Sequence, residues 1–287
     1  MRIGVLLLVI SLAVIAAEMT ARFVFGLGTP VLMTPHPTVE YLLGPNQDVM
    51  RRGVHVATNS FGMRSPEPDI PKRADEFRVL VLGDSVVNGQ ATTDQSDLAT
   101  TLLSTDGRLF LNASATSWGP ENELAYVDTF GVFDADMMVL VVSSHDAFDS
   151  PQFGPVEPQR APLLALLEIA QKAVDAVFSR AEGSPPGRVD GPSERPLAAI
   201  RSLTSILPSC VVLHSTRSEI REGRHNPGYD LILQSVTVPV VETSQYLTEA
   251  SYVDDIHLSR EGQVGLSQAI LKCSAITVAP EPTGSRQ

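Results

Sequence analysis

The stretch Phe77-Arg78-Val79-Leu80-Val81-Leu82-Gly83-Asp84-Ser85 decides the fold class of this chain. Its first six residues are apolar almost without interruption, which is typical of a β-strand buried on both faces. Strands of this kind occur in parallel sheets that carry helices on both sides. The run ends abruptly in Gly-Asp-Ser, so the strand is predicted to stop at a tight turn with a hydroxyl group directly after it.

Further strand segments follow along the chain and alternate with helical segments. The strands are predicted over 109–112, 137–142, 211–213 and 238–241, and the helices over 95–105, 121–131, 162–181, 197–207 and from Asp255 or Ser259 to Lys272. This alternation predicts right-handed crossovers and a mostly parallel sheet. We therefore expect an α/β protein, a three-layer α/β/α sandwich with a flavodoxin-like five-stranded sheet, over residues 75–278.

The remaining segments lack such periodicity. Residues 28–74 hold many Pro, Gly and Asn residues and are predicted to be an irregular lead-in. Residues 182–196 are predicted to form an exposed loop, because they are rich in Gly, Pro, Ser and Arg. The polar, proline-containing tail 279–287 is expected to be disordered.

The composition excludes several classes of protein. The 287 residues are 43% hydrophobic and 19% charged, which is too apolar for a disordered chain. Lys and Arg number 21 against 33 Asp and Glu, a net charge of −12, so no nucleic-acid-binding face is expected. Two cysteines are too few for a cysteine-rich zinc module or a disulfide-stapled miniprotein.

An unbroken apolar run covers Ile3–Ala17. It is either the core of a cleaved signal peptide or the first part of a membrane helix, and a buried core helix is the least favoured interpretation. Glu18 and Arg22, four residues apart, could pair on one face of such a helix. We slightly favour an uncleaved anchor over residues 1–27, with the domain on the periplasmic side of the inner membrane. Cleavage would instead release the domain into the periplasm.

The two cysteines, Cys210 and Cys273, leave two interpretations open. Cys210 precedes the apolar segment Val211–Leu213, and Cys273 lies near the end of the predicted last helix. In the expected fold both lie at the end of the sheet opposite its carboxyl edge, so a disulfide between them is feasible in an exported protein. Two buried free thiols are equally compatible with the sequence.

Reactive side chains follow the predicted strands at points that a parallel sheet brings together, since sites in such sheets form at the carboxyl ends of strands. Ser85 follows the first strand, whereas Asp254 and His257 stand three residues apart before the last helix. A serine nucleophile needs a base within hydrogen-bond reach, and the base needs an acceptor that orients it. We therefore predict Ser85 as the nucleophile, His257 as the base and Asp254 as the orienting acceptor.

Each of these residues has a simpler interpretation when it is taken alone. Ser85 could cap a helix, and His257 could be a solvated residue at a helix start. Asp255 could replace Asp254 as the acceptor, or could cap the last helix. The order of the residues along the chain, each at a strand end, makes the catalytic interpretation the more specific one.

In this pattern the chain resembles the SGNH, or GDSL-type, hydrolase family over roughly residues 78 to 272. Gly83-Asp84-Ser85 resembles the family's first block, and Asp254-Asp255-Ile256-His257 resembles its last. The segment Asn59-Ser60-Phe61-Gly62-Met63-Arg64 is similar to one found in membrane-anchored or secreted bacterial members near polysaccharide gene clusters. The resemblance implies esterase, deacetylase or O-acyltransferase chemistry with no metal and no other cofactor.

The two middle blocks depart from the family pattern. The second block usually offers a glycine whose backbone N–H lines the oxyanion hole, and Ser117 stands at that place. The third block usually reads Gly-x-Asn-Asp, whereas this chain has Ser143-Ser144-His145-Asp146. The resemblance implies an oxyanion hole of the backbone N–H groups of Ser85 and Ser117 with the imidazole of His145, which can donate an N–H in either charge state. Taken alone, His145 could be a polar residue that closes a buried strand.

The expected function is hydrolysis or transfer of O-acyl groups, above all O-acetyl groups, of an extracytoplasmic polysaccharide or oligosaccharide through an acyl-serine. One alternative is a catalytically weak or inactive accessory protein of exopolysaccharide (for example cellulose) biosynthesis or secretion, and another is a lipid esterase or thioesterase. Residues 147–196 and 214–236 are expected to shape the acceptor site. Four basic residues in the second stretch could meet acidic sugars or form a solvated loop: Arg217, Arg221, Arg224 and His225.

Overall fold

The structure, a computed structural model, describes residues 2–151, 154, 158–178 and 194–278. The tail 279–287, predicted to be disordered, and residues 182–193 of the predicted exposed loop lie outside these ranges. The first described element is helix α1, Arg2–Phe23. Its 22 residues span about 33 Å, enough to cross the hydrocarbon core of a bilayer. The helix is also apolar enough for such a span, by a test of length and composition that signal sequences pass as well, and none of its most apolar window is buried.

Two short antiparallel hairpins follow in the segment predicted to be irregular. Strand β1, Met33–His36, pairs with β2, Glu40–Leu43, and strand β3, Asp48–Arg51, pairs with β4, Val54–Ala57. Each strand has four residues, which is too short for an alternating pattern to stand out in the sequence. The lead-in is nevertheless part of the main core, since Tyr41 is only 1% exposed.

The centre of the molecule is a sheet of five parallel strands. They are β5, Phe77–Gly83; β6, Arg108–Ser114; β7, Met137–Ser143; β8, Ser209–His214; and β9, Val240–Glu242. Their spatial order is β6-β5-β7-β8-β9, and every neighbouring pair is parallel. Counted within this sheet, the order is second, first, third, fourth, fifth, which is the flavodoxin-like arrangement. The predicted fold class is confirmed.

Helices cover both faces of the sheet. The helices that follow α1 are α2, Ser85–Asn88; α3, Ala99–Leu103; α4, Pro120–Phe130; α5, Ala165–Phe178; α6, Glu194–Ile206; α7, Arg217–Glu222; α8, Pro227–Ser235; and α9, Arg260–Val278. Of these, α5 packs against α1. Leu80 and Leu82 of β5 belong to the core on the side of α4 and α6, whereas Val79 and Val81 belong to the core on the side of α3 and α9. This alternation explains why the strand reads as a continuous apolar run.

The first predicted helix and the fifth predicted strand differ from the sequence expectation for reasons that single residues explain. The helix predicted over 95–105 is interrupted at Leu98, whose φ of −61° and ψ of 139° are extended, so a 3-10 turn at Gln95–Asp97 precedes α3. The fifth strand begins only after Pro239, because proline has no N–H to donate to the neighbouring strand. The carbonyl of Pro239 still accepts the N–H of Val211 at 2.9 Å.

Two helices are longer than predicted. Helix α6 begins at Glu194 instead of 197, because Pro196 is tolerated in the first turn of a helix. Helix α9 continues beyond Lys272 because its next two residues, Cys273 and Ser274, are still buried against the core.

The two cysteines form a disulfide. Cys210 lies in the first half of β8 and Cys273 in the second half of α9, with Cα atoms 5.7 Å apart. Both residues are fully buried. The disulfide therefore ties the last helix to the sheet at the end opposite the carboxyl edge.

Candidate active site

The turn after β5 presents Ser85 at the carboxyl edge of the sheet. Gly83 ends the strand, and a Cβ atom there would lie 2.5 Å from Cγ2 of Val87, so only glycine allows so tight a passage from strand to helix. Asp84 caps helix α2, since its Oδ1 accepts the backbone N–H of Val86 at 2.8 Å. Ser85 is the first helical residue, so its own N–H has no acceptor within the helix.

A continuous chain of hydrogen bonds links Ser85, His257 and Asp254. Oγ of Ser85 lies 3.0 Å from Nε2 of His257, and Nδ1 of His257 lies 2.6 Å from Oδ2 of Asp254. The other oxygen of Asp254 accepts the backbone N–H groups of Ile256 at 2.9 Å and His257 at 2.8 Å. Because a carboxylate can only accept, Nδ1 carries the imidazole proton and Nε2 is left as an acceptor for the serine hydroxyl.

Asp255 is engaged elsewhere. Its carboxylate accepts the backbone N–H of Ser218 at 2.9 Å and the hydroxyl of Ser218 at 3.0 Å. It therefore stabilises the first turn of α7, whereas Ser259 caps α9 by accepting the N–H of Gly262 at 3.2 Å. Neither alternative considered for Asp255, replacing Asp254 or capping the last helix, describes its contacts.

A buried histidine holds the loop that carries Asp254 and His257. His214, at the end of β8, lies with Nε2 3.0 Å from the carbonyl oxygen of Ile256. Burial lowers the pKa of His214 to about 4, so its ring is neutral and donates to that carbonyl. The loop is also closed on itself by the N–H of Val253, which donates to the carbonyl of His257 at 2.9 Å. The sequence suggested no role for His214, because a histidine that ends a buried strand has no distinguishing pattern.

The pKa values of two carboxyl groups near the site, those of Asp254 and Asp84, are shifted in opposite directions. Burial raises the pKa of Asp254, but the hydrogen bonds from His257 and Ile256 outweigh it and leave the pKa below its usual value. Burial raises the pKa of Asp84 to about 6, although the N–H of Val86 and the nearby imidazole of His257 oppose the rise. Asp254 is thus ionised at neutral pH, as an acceptor that must stabilise an imidazolium needs to be.

Ser117 and His145 lie in the loops that follow β6 and β7, the two strands that flank β5. Ser117 follows β6, the neighbour of β5, in an exposed turn with a φ of 62°. This left-handed conformation favours glycine, which is the residue that the resemblance expects there. His145 is half-buried in a 3-10 turn at Ser144–Ala147, directly after β7 on the other side of β5. Asp146 anchors that turn by accepting the N–H of Ser143 at 2.6 Å.

Two further residues near the site were missed by the sequence reasoning. The side-chain nitrogen of Gln90 lies 2.9 Å from Nε2 of His257. Arg64, which is 0% exposed, donates to the backbone carbonyls of Asn88 and Gln90 at 2.7 Å each and to that of Thr93 at 3.0 Å. Arg64 ends the segment that was singled out only by resemblance, and no local pattern reveals its contacts with a loop 24 or more residues away.

The four basic residues considered for acidic sugars are mostly engaged with neighbours in their own loop. Arg221 and Arg224 are exposed and lie 3.7 Å and 3.0 Å from Glu222. The ring of His225 stacks on Tyr229 with centroids 3.7 Å apart. Arg217 begins α7, its backbone N–H donates to the carbonyl of Asp255 at 2.7 Å, and Nε of its guanidinium is buried with no hydrogen-bond partner among the described residues. The contacts of Arg221, Arg224 and His225 agree better with a solvated surface than with a sugar site.

The chain was compared with known proteins. No family model matches it, and no curated protein matches it significantly. Among solved structures it is similar to a Bacteroides ovatus protein described as a GDSL-like lipase, with 15% identity, a TM-score of 0.42, and 70% of this chain and 53% of that chain covered. A two-domain esterase active on acetylated mannans gives 10% identity, a TM-score of 0.44 and coverages of 79% and 58%. Est24, a carbohydrate acetylesterase from Sinorhizobium meliloti, gives 15% identity and a TM-score of 0.38, with 70% of this chain and 99% of that chain covered.

The chain thus spans about half the length of the Bacteroides ovatus protein. At these identities and TM-scores the similarity concerns the overall fold alone.

Proposed function

We propose that this chain is a serine esterase of the SGNH type, which acts on O-acyl groups, above all O-acetyl groups, of an extracytoplasmic polysaccharide. The observation that carries the proposal is the hydrogen-bonded chain from Ser85 through His257 to Asp254 at the carboxyl edge of the parallel sheet. A nucleophile, a base and an orienting acceptor in this order are the parts that acyl transfer through a serine requires.

The helix cap supports Ser85 as a nucleophile. A serine that only capped a helix would direct its hydroxyl to a backbone N–H one turn further on. In α2 that role belongs to Asp84, whose carboxylate accepts the N–H of Val86. The hydroxyl of Ser85 is left for His257, and the N–H of Ser85 is left for a developing oxyanion.

The proposed reaction has two halves. Oγ of Ser85 attacks the ester carbonyl while its proton passes to Nε2 of His257, and the resulting oxyanion is held by the N–H groups of Ser85 and Ser117 and by the imidazole of His145. The bond to the sugar oxygen then breaks, and that oxygen takes the proton from Nε2. Water, or a second sugar hydroxyl, attacks the acyl-serine in the same way and restores Ser85. Asp254 stabilises the imidazolium in both halves.

The contacts of α1 support an uncleaved membrane anchor. Glu18 accepts the backbone N–H groups of Ala165 at 2.8 Å and Leu166 at 3.1 Å, at the start of α5. Arg22 pairs with Glu18 at 2.5 Å and donates to the carbonyl of Leu163 at 2.8 Å. The end of α1 is therefore fastened to the domain, as a helix that stays with the protein would be.

The location outside the cytoplasm has independent support. The disulfide between Cys210 and Cys273 is of a kind that persists in oxidising compartments. Next to α1, the side chain of Leu163 is 88% exposed, and Leu164 and Leu167 are about half exposed, which fits a position at a bilayer surface. We infer a protein anchored in the inner membrane with its site in the periplasm, where an acylated polysaccharide would be met.

A binding module with the same fold is the second candidate, and the residues at two of the oxyanion positions favour it. Ser117, with a left-handed φ of 62°, stands where the resemblance expects glycine, and His145 stands where it expects asparagine. Such a module would bind polysaccharide without turning it over.

The experiment is hydrolysis of a chromogenic acetate by the detergent-solubilised full chain. Ser85→Ala should remove the activity, and Asp254→Asn should lower kcat by roughly 10³- to 10⁴-fold. Asp255→Asn is the matched control, because it changes a neighbouring carboxylate that contacts Ser218 instead of His257, and it should stay within a few-fold of wild type. Equal rates for wild type and Ser85→Ala would refute the nucleophile. Polysaccharide binding without turnover would favour the module, and a preference for long acyl chains over acetate would favour a lipid esterase.

A further inference from the structure

Two side chains meet the same nitrogen of the candidate base. Nε2 of His257 lies 3.0 Å from Oγ of Ser85 and 2.9 Å from the side-chain nitrogen of Gln90. Nδ1 carries the ring proton and donates its N–H to Asp254, so Nε2 offers one lone pair in the plane of the ring. The serine hydroxyl and the glutamine amide are therefore both donors to that lone pair. Gln90 stands beside the atom through which every proton of the proposed reaction must pass.

Gln90 is held in place by an unusually constrained backbone. Its φ is 48°, a left-handed conformation that is uncommon for residues with a side chain. Its N–H donates to Oδ1 of Asn88 at 3.2 Å, and its carbonyl accepts from the buried guanidinium of Arg64 at 2.7 Å. Because strain of this kind costs free energy, it persists only where surrounding contacts fix it, and it clusters at functional sites. The side chain is thus presented to His257 from a fixed base.

In the second half of the proposed reaction, the amide of Gln90 can bind the incoming oxygen. Once Ser85 carries the acyl group, its oxygen has no proton to donate, and the lone pair of Nε2 faces an incoming water or sugar hydroxyl. An oxygen that gives its proton to Nε2 must lie within about 3 Å of that nitrogen. The amide of Gln90 borders the same position, so its N–H can donate to a lone pair of the incoming oxygen and turn the O–H of that oxygen toward Nε2.

We propose that Gln90 is a catalytic residue of the deacylation step, in which its side-chain amide binds and orients the oxygen that attacks the acyl-serine. This inference rests on the proposed acyl-serine. In the step, the O–H bond of the incoming water or alcohol breaks, its proton goes to Nε2 of His257, and its oxygen bonds to the acyl carbon. The bond from that carbon to Oγ of Ser85 then breaks, and Oγ takes the proton from Nε2. The acyl product leaves as an acid or as a new ester.

The two half-reactions can be separated with p-nitrophenyl acetate. Its leaving group departs without needing a proton, so acylation depends little on an oriented alcohol oxygen, whereas deacylation by water depends on it fully. In Gln90→Ala, the steady-state rate should fall roughly 10- to 100-fold, the equivalent of one hydrogen bond to a reacting group. The initial burst of p-nitrophenol should keep its rate within a few-fold. Once free substrate is removed, intact-mass measurement should show that the acetyl group is lost more slowly than in wild type.

Three controls make the result decisive. Gln90→Asn keeps an amide and suits a left-handed backbone, but it is one carbon shorter and should behave as Gln90→Ala does. Gln268→Ala, an exposed position on α9, should behave as wild type. The fluorescence of Trp118, the only tryptophan, reports whether each variant is folded.

The outcomes separate the two proposals. A burst and a steady-state rate that fall together, or an acetyl group that Gln90→Ala loses as fast as wild type after substrate removal, would overturn the role of Gln90 and leave the esterase standing. A wild-type chain that neither becomes acetylated nor exceeds Ser85→Ala would overturn the proposed function itself.

Discussion

Removal of the disulfide between Cys210 and Cys273 should cost a large part of the stability of the fold. The two residues are 63 positions apart, so the cross-link closes a long loop in the unfolded chain. The loop-closure relation gives an entropy of about 14 cal/mol/K for this length, or about 4 kcal/mol at 25 °C. Net stabilities of domains are on the order of 5–15 kcal/mol, so the loss would be a substantial fraction of the total. Since the sulfurs are fully buried, reductant should act only after unfolding.

Urea unfolding of the detergent-solubilised chain, with and without a thiol reductant, measures this difference on one sequence. Trp118 is 2% exposed and is the only tryptophan, so its fluorescence reports the transition. A loss of this size should lower the midpoint by more than about 1 M urea. The paired Cys210→Ala, Cys273→Ala variant should match the reduced chain to within the packing of two sulfurs. A loss below about 1 kcal/mol would refute the reasoning, because it would mean that these segments already stay close in the unfolded chain.

Three further outcomes follow from single residues. His214 has a pKa of about 4 in the folded chain and near 6.5 in the unfolded chain, so the unfolded state gains a proton first as the pH falls. The contribution of His214 to the free energy of unfolding is therefore complete above about pH 6.5, and up to about 3 kcal/mol of it is lost by pH 4. His214→Asn should flatten this pH dependence in urea unfolding measured across the same range. Arg64→Met should destabilise the chain by roughly 3 kcal/mol or more, because buried carbonyls lose their donors, whereas Arg221→Met on the surface should change the same unfolding measurement by less than about 0.5 kcal/mol. His145→Ala should lower kcat on a chromogenic acetate roughly 10²- to 10³-fold if its ring donates to the oxyanion, and His145→Asn should restore most of the rate.

The parts of the fold that the sequence predicts are those in which burial leaves a periodic trace. The strand at 77–82 is apolar throughout because its two faces contact separate helical layers, and the same holds for 137–142. The hairpins of the lead-in were not predicted, since four-residue strands are too short to show a period. The interruption of the first predicted helix at Leu98 depends on the backbone angles of one residue, which no composition encodes.

Some residues of the candidate site could likewise be predicted from the sequence, and others could not. Ser85 could be predicted from sequence because it follows a recognisable strand, and Asp254 and His257 because they stand three residues apart shortly before the predicted last helix. Gln90 is a glutamine in a polar turn, and His214 is a histidine at a strand end, so neither differs from residues without a role until the distances to His257 and Ile256 are known. The sequence does not distinguish the adjacent Asp254 and Asp255, whereas the structure does, because Asp254 contacts His257 and Asp255 contacts Ser218.

The sequence pattern changes at residue 75, but the contacts of the folded chain do not divide there. Arg64, which lies before it, supplies the donors for the backbone of the loop that presents Gln90. Tyr41, also before it, donates its hydroxyl to the carbonyl of Thr116 at 2.8 Å and accepts the indole N–H of Trp118 at 3.0 Å through its own carbonyl. These bonds fix the turn that contains Ser117 from one side, while Arg64 fixes the loop after Ser85 from the other. Since the loops on both sides of Ser85 are held by the lead-in, the lead-in is a structural part of the candidate site, although it has no periodicity in sequence.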